Sequence, residues 1–179
     1  MTTGDTSNGK LMEMLTGYAA SHQHPFNVFV HMIGIPTIML GVMIPLTWVS
    51  IETNDFGFNL AHVLIVGFFV FYLTLDVVFA VAFLVGAYFL EMLAAKLGSY
   101  PGYTAWIIAA VAFFGGYIAQ FIGHAVEKSM PVLVKHPIQA NLAAPFFTVV
   151  ELFSIVGLRD ELFKEVQHQI EQRRTQEAG

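Results

Sequence analysis

Long uncharged stretches alternate with short polar breaks along this chain of 179 residues. No Asp, Glu, Lys or Arg occurs in the intervals 14–51, 56–75, 77–90 and 97–126. A bilayer core about 30 Å thick takes roughly 20 residues of helix, so three of these intervals can supply a membrane span and 77–90 nearly can. The pattern predicts an all-α integral membrane protein with about four transmembrane helices.

The first predicted span covers residues 26–49. We place the start of its helix at Pro25, because proline is favoured in the first turn of a helix. The last predicted span covers residues 104–126. An acidic, turn-rich segment at 52–57 follows the first span, and a second turn at 98–102 precedes the last one. These breaks leave the middle of the chain for the remaining spans.

Residues 59–97 form one apolar run that Asp76 interrupts. As a single helix this run would be about 58 Å long, nearly twice the thickness of the hydrocarbon core. We therefore predict two antiparallel spans joined by a tight turn at 73–76. The alternative is one long, tilted helix that buries Asp76.

The pattern changes after the last span. Residues 128–139 are polar and contain two prolines, which predicts a loop. Residues 141–157 are apolar, but the segment is short and contains Pro145 and Glu151, which favours an interfacial or re-entrant helix. In the charged segment 158–174, the apolar residues recur at every fourth position, which predicts an amphipathic helix on the membrane surface. These residues are Leu158, Leu162, Val166 and Ile170.

We accordingly divide the chain into a polar N-terminal segment (1–24) with a short amphipathic stretch, a membrane domain (25–157) and a C-terminal amphipathic helix (158–179). Most basic residues lie before the first predicted span or after the last one. They are Lys10, Lys128, Lys135, Arg159, Lys164, Arg173 and Arg174. Because basic residues accumulate on the cytoplasmic side of membrane proteins, we expect both termini in the cytoplasm.

The amino-acid composition limits the classes of function that the chain can have. Only 12% of the residues are charged, against roughly 25% in soluble domains, so much of the surface must face lipid. The net charge of −5 argues against a nucleic acid partner. The absence of cysteine excludes disulfides and thiolate metal sites, so any metal must use histidine, carboxylate or backbone oxygen ligands.

Several of the seven histidines gather at the predicted cytoplasmic boundary. His22, His24 and His31 lie at the start of the first span, whereas His124 lies at the end of the last span and His136 just beyond it. With an even number of spans, these positions share one membrane face and can converge. His24 and His136 precede prolines, so each fits either a turn or the cluster. The other two, His62 and His168, are interpreted as interfacial hydrogen bonders.

The spacing of polar residues around these histidines supports a metal site. Asn27 and His31 are four residues apart, and Gln120, His124 and Glu127 follow at i, i+4 and i+7, so each set shares a helix face. Polar side chains within apolar helices normally point at a partner or a cavity. Histidines supported by amides or a carboxylate suit one or two ions such as Fe(II) or Zn(II). Structural hydrogen bonding remains the alternative.

Two separated motifs resemble a known family. They consist of Tyr18, His22, Asn27, His31, Gly34 and Pro36, and of Gln120, Gly123, His124, Glu127, Pro131 and Leu133, continued by Gln139-Ala140 and Ala144–Phe147. Over residues 18–151 the chain is similar to the small membrane family of the fungal 2-hydroxy-palmitate dioxygenase, which acts in phytosphingosine breakdown, and to its bacterial-type members.

This resemblance implies an Fe(II)-dependent dioxygenase that works without 2-oxoglutarate. It would use O2 to shorten a 2-hydroxy fatty acid by one carbon, within membrane lipid and, we expect, in the bacterial inner membrane. The family histidines that matter for iron match His22, His31 and His124, whereas no family role falls on His136.

We predict catalytic supporting roles for Asn27, Gln120 and Glu127, which would orient imidazoles or the substrate carboxylate. Two other classes of protein remain open from the residues alone. One binds haem or a quinone, with His31 and His124 as axial ligands. The other is a non-catalytic membrane scaffold or small transporter.

Overall fold

A computed structural model describes residues 3–20, 22–52 and 57–177 of the chain. Within these residues the fold is all-α, with eight helices and one two-stranded β-hairpin. The elements are α1 (Thr3–Ala19), α2 (Pro25–Thr47), β1 (Ser50–Glu52), β2 (Gly57–Asn59), α3 (Leu60–Leu73), α4 (Val77–Gly98), α5 (Thr104–Glu127), α6 (Val132–Lys135), α7 (Pro137–Ile155) and α8 (Asp160–Glu177). The predicted all-α membrane fold is confirmed. Most of the predicted turn at 52–57 lies outside the described residues.

The predicted hairpin in the middle of the chain is confirmed. Helix α3 ends at Leu73 and α4 begins at Val77, so the apolar run is two helices. The break occurs because the Asp76 carboxylate accepts hydrogen bonds from the backbone N–H groups of Val78 (2.9 Å) and Phe79 (3.0 Å). An aspartate in this N-cap position starts a new helix instead of lying inside one.

The lengths of the apolar helices differ from the prediction. Helices α2, α4, α5 and α7 are long and apolar enough to cross a membrane, but α3 has only 14 residues. Such a helix is about 21 Å long, which is shorter than the hydrocarbon core. Conversely, α7 has the 19 residues that a span requires, although we expected only a short helix there.

The contacts of α7 nevertheless indicate that this helix lies across the turn between α3 and α4 and does not run alongside α4. Near its start, the Leu142 carbonyl accepts a hydrogen bond from the Tyr72 hydroxyl (2.8 Å). Near its end, Phe153 packs edge-on against Phe79, with ring centroids 5.1 Å apart. Tyr72 and Phe79 flank the same turn, so both ends of α7 lie at one depth. A helix parallel to α4 would instead contact progressively deeper residues.

Helix α2 packs most extensively against α5, and small residues permit their close approach. A Cβ atom added to Gly41 would lie 2.6 Å from the backbone nitrogen of Phe113, and one added to Gly116 would lie 2.5 Å from the Ile38 side chain. Because α2 and α5 are antiparallel, the start of α2 lies beside the end of α5.

The two terminal helices pack together, which differs from the prediction that the whole apolar stripe of residues 158–174 lies on the membrane. The N-terminal segment, predicted to be polar with a short amphipathic stretch, is helical from Thr3 to Ala19. Leu11 and Leu15 of α1 share a buried cluster with Val166 and Ile170 of α8. Val166 and Ile170, two of the four stripe residues, are therefore covered by the apolar face of α1 and do not face lipid.

Candidate metal centre

Three buried histidines converge where the start of α2 meets the end of α5. His22 lies in the loop before α2, His31 in the second turn of α2, and His124 in the last turn of α5. The ring centroid of His22 is 4.4 Å from that of His31 and 4.8 Å from that of His124, and the last two are 4.9 Å apart. One imidazole nitrogen from each ring lies within 4.8 Å of the others.

Backbone carbonyls fix the tautomers of two rings. The Nδ1 atom of His22 lies 2.7 Å from the carbonyl oxygen of Tyr18, and that of His31 lies 2.9 Å from the carbonyl oxygen of Asn27. Since a carbonyl oxygen only accepts, each Nδ1 carries the proton and each Nε2 keeps its lone pair. Metal-binding histidines characteristically use one nitrogen in this way and present the other to the ion.

The Nε2 atom of His22 is buried and has no hydrogen-bond partner within the described part of the chain. Burial, and secondarily the adjacent His31 ring, lower the pKa of His22 from 6.5 to about 3, so this imidazole is neutral at physiological pH. An unpaired buried acceptor is costly, and a metal ion would supply the missing partner. Three clustered imidazoles fit a borderline ion such as Fe(II) or Zn(II).

Aromatic residues hold the His22 ring in place. The Tyr18 ring stacks on it with a centroid separation of 4.1 Å and an interplanar angle of 3°. Phe147 of α7 packs against the same imidazole at 5.6 Å and against Tyr18 at 4.4 Å. Helices α1 and α7 therefore restrain a histidine that belongs to neither helix.

Glu127 connects the two halves of the site. One of its carboxylate oxygens accepts a hydrogen bond from the backbone N–H of Gln23 at 2.7 Å, and the other accepts from the side-chain amide of Asn27. The Asn27 side chain lies directly over Gly123, where a Cβ atom would collide with the amide oxygen. Glu127 thus fastens the loop that carries His22, and the start of α2, to the end of α5.

His124 also has support behind its ring. Its Nδ1 atom lies 2.9 Å from the hydroxyl oxygen of Ser129 and 3.5 Å from the amide nitrogen of Asn27. The sequence pattern indicated Asn27 but not Ser129, which follows the helix end and shares no helical spacing with His124. Gln23 could not be identified from the sequence, because it takes part through its backbone amide, which every residue except proline has.

The histidines line one end of a cavity of about 180 Å³ between α2, α3, α5, α6 and α7. Gln120, one turn before His124, also lines it, whereas Asn27 and Glu127 do not. The Tyr117 hydroxyl donates to the side-chain oxygen of Asn141 at 2.9 Å, and both residues line this cavity. Neither residue of this pair was predicted from the sequence.

The other histidines stand apart from the cluster. His24 caps α2 by accepting a hydrogen bond from the backbone N–H of Phe26 at 3.2 Å, and His136 is exposed before α7. His62 accepts a hydrogen bond from the backbone N–H of its neighbour Asn59, and the exposed His168 bonds to a glutamine on its own helix. The turn interpretation therefore holds for His24, and hydrogen bonding holds for His62 and His168.

Comparison with known proteins agrees with the geometry. The family model described as 2-hydroxy-palmitic acid dioxygenase Mpo1-like matches residues 9–155, which include all three clustered histidines. The chain belongs to the Mpo1-like family. It is 30% identical, over 162 residues, to the 2-hydroxy-palmitic acid dioxygenase MPO1 of Saccharomyces cerevisiae, and this alignment covers 90% of each protein. No solved structure matches the chain. The resemblance expected from the two sequence motifs is thus confirmed.

Proposed function

We propose that this chain is an Fe(II)-dependent dioxygenase that uses O2, without 2-oxoglutarate, to shorten 2-hydroxy fatty acids by one carbon. Membership of the Mpo1-like family and the substrate in the name of the yeast relative, 2-hydroxy-palmitic acid, support this reaction. The observation that carries the proposal is the convergence of three buried imidazoles at the polar end of an otherwise apolar cavity. A hydroxy-acid head and an acyl tail match the two ends of such a cavity.

His22, His31 and His124 are the proposed metal ligands. When bound, the iron would supply Lewis-acid and redox chemistry toward the 2-hydroxy acid and O2. The backbone carbonyls of Tyr18 and Asn27 hold two of the rings in the tautomer that presents Nε2. Because these carbonyls belong to helices α1 and α2, packing of α1 contributes to the alignment of the ligands.

Gln120 is the proposed substrate-binding residue. Its side chain lines the cavity on the same helix face as His124 and has no hydrogen-bond partner among the described residues. A primary amide both donates and accepts, so it can bond to the carboxylate or to the hydroxyl group of a 2-hydroxy acid. We assign Gln120 to orienting this head group.

Asn27 and Glu127 are proposed as positioning residues. Both lie behind the histidines and outside the cavity, so they can orient imidazoles but cannot contact the substrate carboxylate. Of the two roles expected from the sequence, orienting imidazoles or orienting the substrate carboxylate, we therefore assign only the first to Asn27 and Glu127. Their role is to keep the loop that carries His22 against the end of α5.

We further propose that the metal centre and both termini lie on the cytoplasmic side of the bacterial inner membrane. The excess of basic residues after α5 supports this orientation. At the other end of α2, the rings of Trp48 and Trp106 pack at 4.3 Å. Tryptophans concentrate at membrane interfaces, so this pair is expected to mark the opposite boundary.

A haem between His31 and His124 is disfavoured by the position of the third histidine. The His22 ring lies within 5 Å of both other rings, at 4.4 Å and 4.8 Å, so a porphyrin placed between them would overlap it. An absorption spectrum of the purified protein is expected to lack a haem Soret band. Bound haem would contradict the proposed reaction.

The proposal is tested by turnover of 2-hydroxypalmitate by protein purified in detergent. We expect a fifteen-carbon acid to form with consumption of O2, and we expect the rate to be independent of added 2-oxoglutarate. Removal of iron with a chelator should abolish turnover, and Fe(II) should restore it. An iron-loaded, folded protein that leaves 2-hydroxy acids unchanged would refute the proposed reaction.

A further inference from the structure

We propose that the acyl tail lies in a groove on α2 between α3 and α5, and that Val42 and Leu64 at its deep end set the longest chain that is accepted. This acyl groove consists of Ile35, Ile38, Met39, Val42, Leu64 and Phe68. The inference rests on the proposed function and adds to it the residues that select among substrates of different length.

The polarity of the cavity changes along its length. At one end lie the histidines, Gln120 and Asn141, whereas every cavity-lining residue of α2 after His31 is apolar. From His31 to Val42 the helix advances about 16 Å. A long, apolar space with a polar mouth is complementary to an amphiphile that has a single extended tail.

The groove exists because α3 and α5 cover different sides of α2. Helix α2 packs mainly on α5 and α4, and α3 packs mainly on α4, which leaves a strip of α2 incompletely covered. Ile38, Met39 and Val42 on this strip are only half-buried. Protein interiors are normally close-packed, so an apolar hollow that opens onto a histidine cluster is expected to hold an occupant. The cavity is continuous with Gln120, which identifies the occupant as the substrate tail.

On α2 the groove ends at Val42. Met43 and Ile44, which follow Val42 on α2, are fully buried in the protein core, and no α2 residue beyond Val42 lines the cavity. On α3, Leu64 is the lining residue nearest this end, since α3 runs antiparallel to α2. A larger side chain at this position would therefore shorten the groove without reaching the histidines.

The test is the variant Leu64→Trp, with Val66→Trp as its matched control. Val66 lies on the same helix but is half-exposed and lines no cavity that contains the histidines. For Leu64→Trp we expect kcat/KM for 2-hydroxypalmitate to fall about tenfold or more, because several methylene groups lose their apolar surroundings. The kcat/KM for 2-hydroxyoctanoate should stay within about twofold of the control.

The opposite change gives a second test that does not depend on whether the tryptophan variant folds. Val42→Ala lengthens the groove, so the preference should shift from 2-hydroxypalmitate toward 2-hydroxystearate. If the wild-type protein turns over 2-hydroxy acids and both variants retain its length profile, the groove assignment is wrong and the proposed function stands. If the wild-type protein turns over none, the proposed function fails, and binding of the labelled acids then provides the same length comparison.

Discussion

The backbone nitrogen of Gln23 lies 2.7 Å from the carboxylate of Glu127, although 104 residues separate them in the chain. The second oxygen of the same carboxylate accepts from Asn27. One side chain therefore fixes both the loop that carries His22 and the first turn of α2. The placement of His22 and His31 beside His124, which comes from a distant part of the sequence, therefore depends on this carboxylate.

Glu127→Ala is expected to weaken metal binding without unfolding the membrane helices. The variant loses both acceptors, so the His22 loop is released from α5, and residues that support metal ligands typically contribute about 10- to 100-fold in affinity. Iron affinity of the purified variant, measured by competition with a chelator, checks this. Glu161→Ala, which removes an exposed carboxylate on α8, serves as the control. Equal affinities in the two variants would contradict the positioning role.

Gln120→Ala separates substrate binding from metal binding. Loss of the amide should lower kcat/KM for 2-hydroxypalmitate by about tenfold or more, because a head-group hydrogen bond in a buried site is lost. The iron content should stay at the wild-type level, since Gln120 is not a proposed ligand. Steady-state kinetics and metal analysis of the same preparation provide both values. Loss of iron together with activity would assign Gln120 to the metal site instead.

Two glycines on α5 are expected to respond oppositely to replacement by alanine. A Cβ at Gly123 collides with the Asn27 amide, whereas a Cβ at Gly115 meets nothing. Gly123→Ala should therefore destabilise the protein by about 1–3 kcal/mol and disturb the site. Gly115→Ala should be neutral or slightly stabilising, because alanine favours helix more than glycine does. Thermal unfolding in detergent measures both, and equal midpoints would contradict the close packing at Gly123.

Local signals in the sequence predicted the elements that determine where the histidines lie. The charge-free intervals located α2 and α5, and the Asp76 interruption located the α3–α4 turn. An even number of crossings then predicted that His31 and His124 share one end of the bundle. These inferences succeed because span length and helix capping depend on nearby residues.

Contacts between distant segments could not be predicted in this way. The apolar stripe with Val166 and Ile170 has the same pattern whether it faces lipid or α1, so the sequence alone does not identify α1 as its partner. Tyr117 lies seven residues before His124, on the face already noted for Gln120, and this spacing could have identified it. Asn141 gives no such signal, because its role depends on how α7 crosses the bundle.

The central claim is that His22, His31 and His124 together bind the catalytic iron. Iron per protein chain, measured by elemental analysis of His31→Ala beside the exposed His168→Ala, tests it most directly. We predict that His168→Ala retains wild-type iron and 2-hydroxypalmitate turnover, whereas His31→Ala loses both and keeps its helical content. A folded His31→Ala protein that retains full iron and activity would contradict the account.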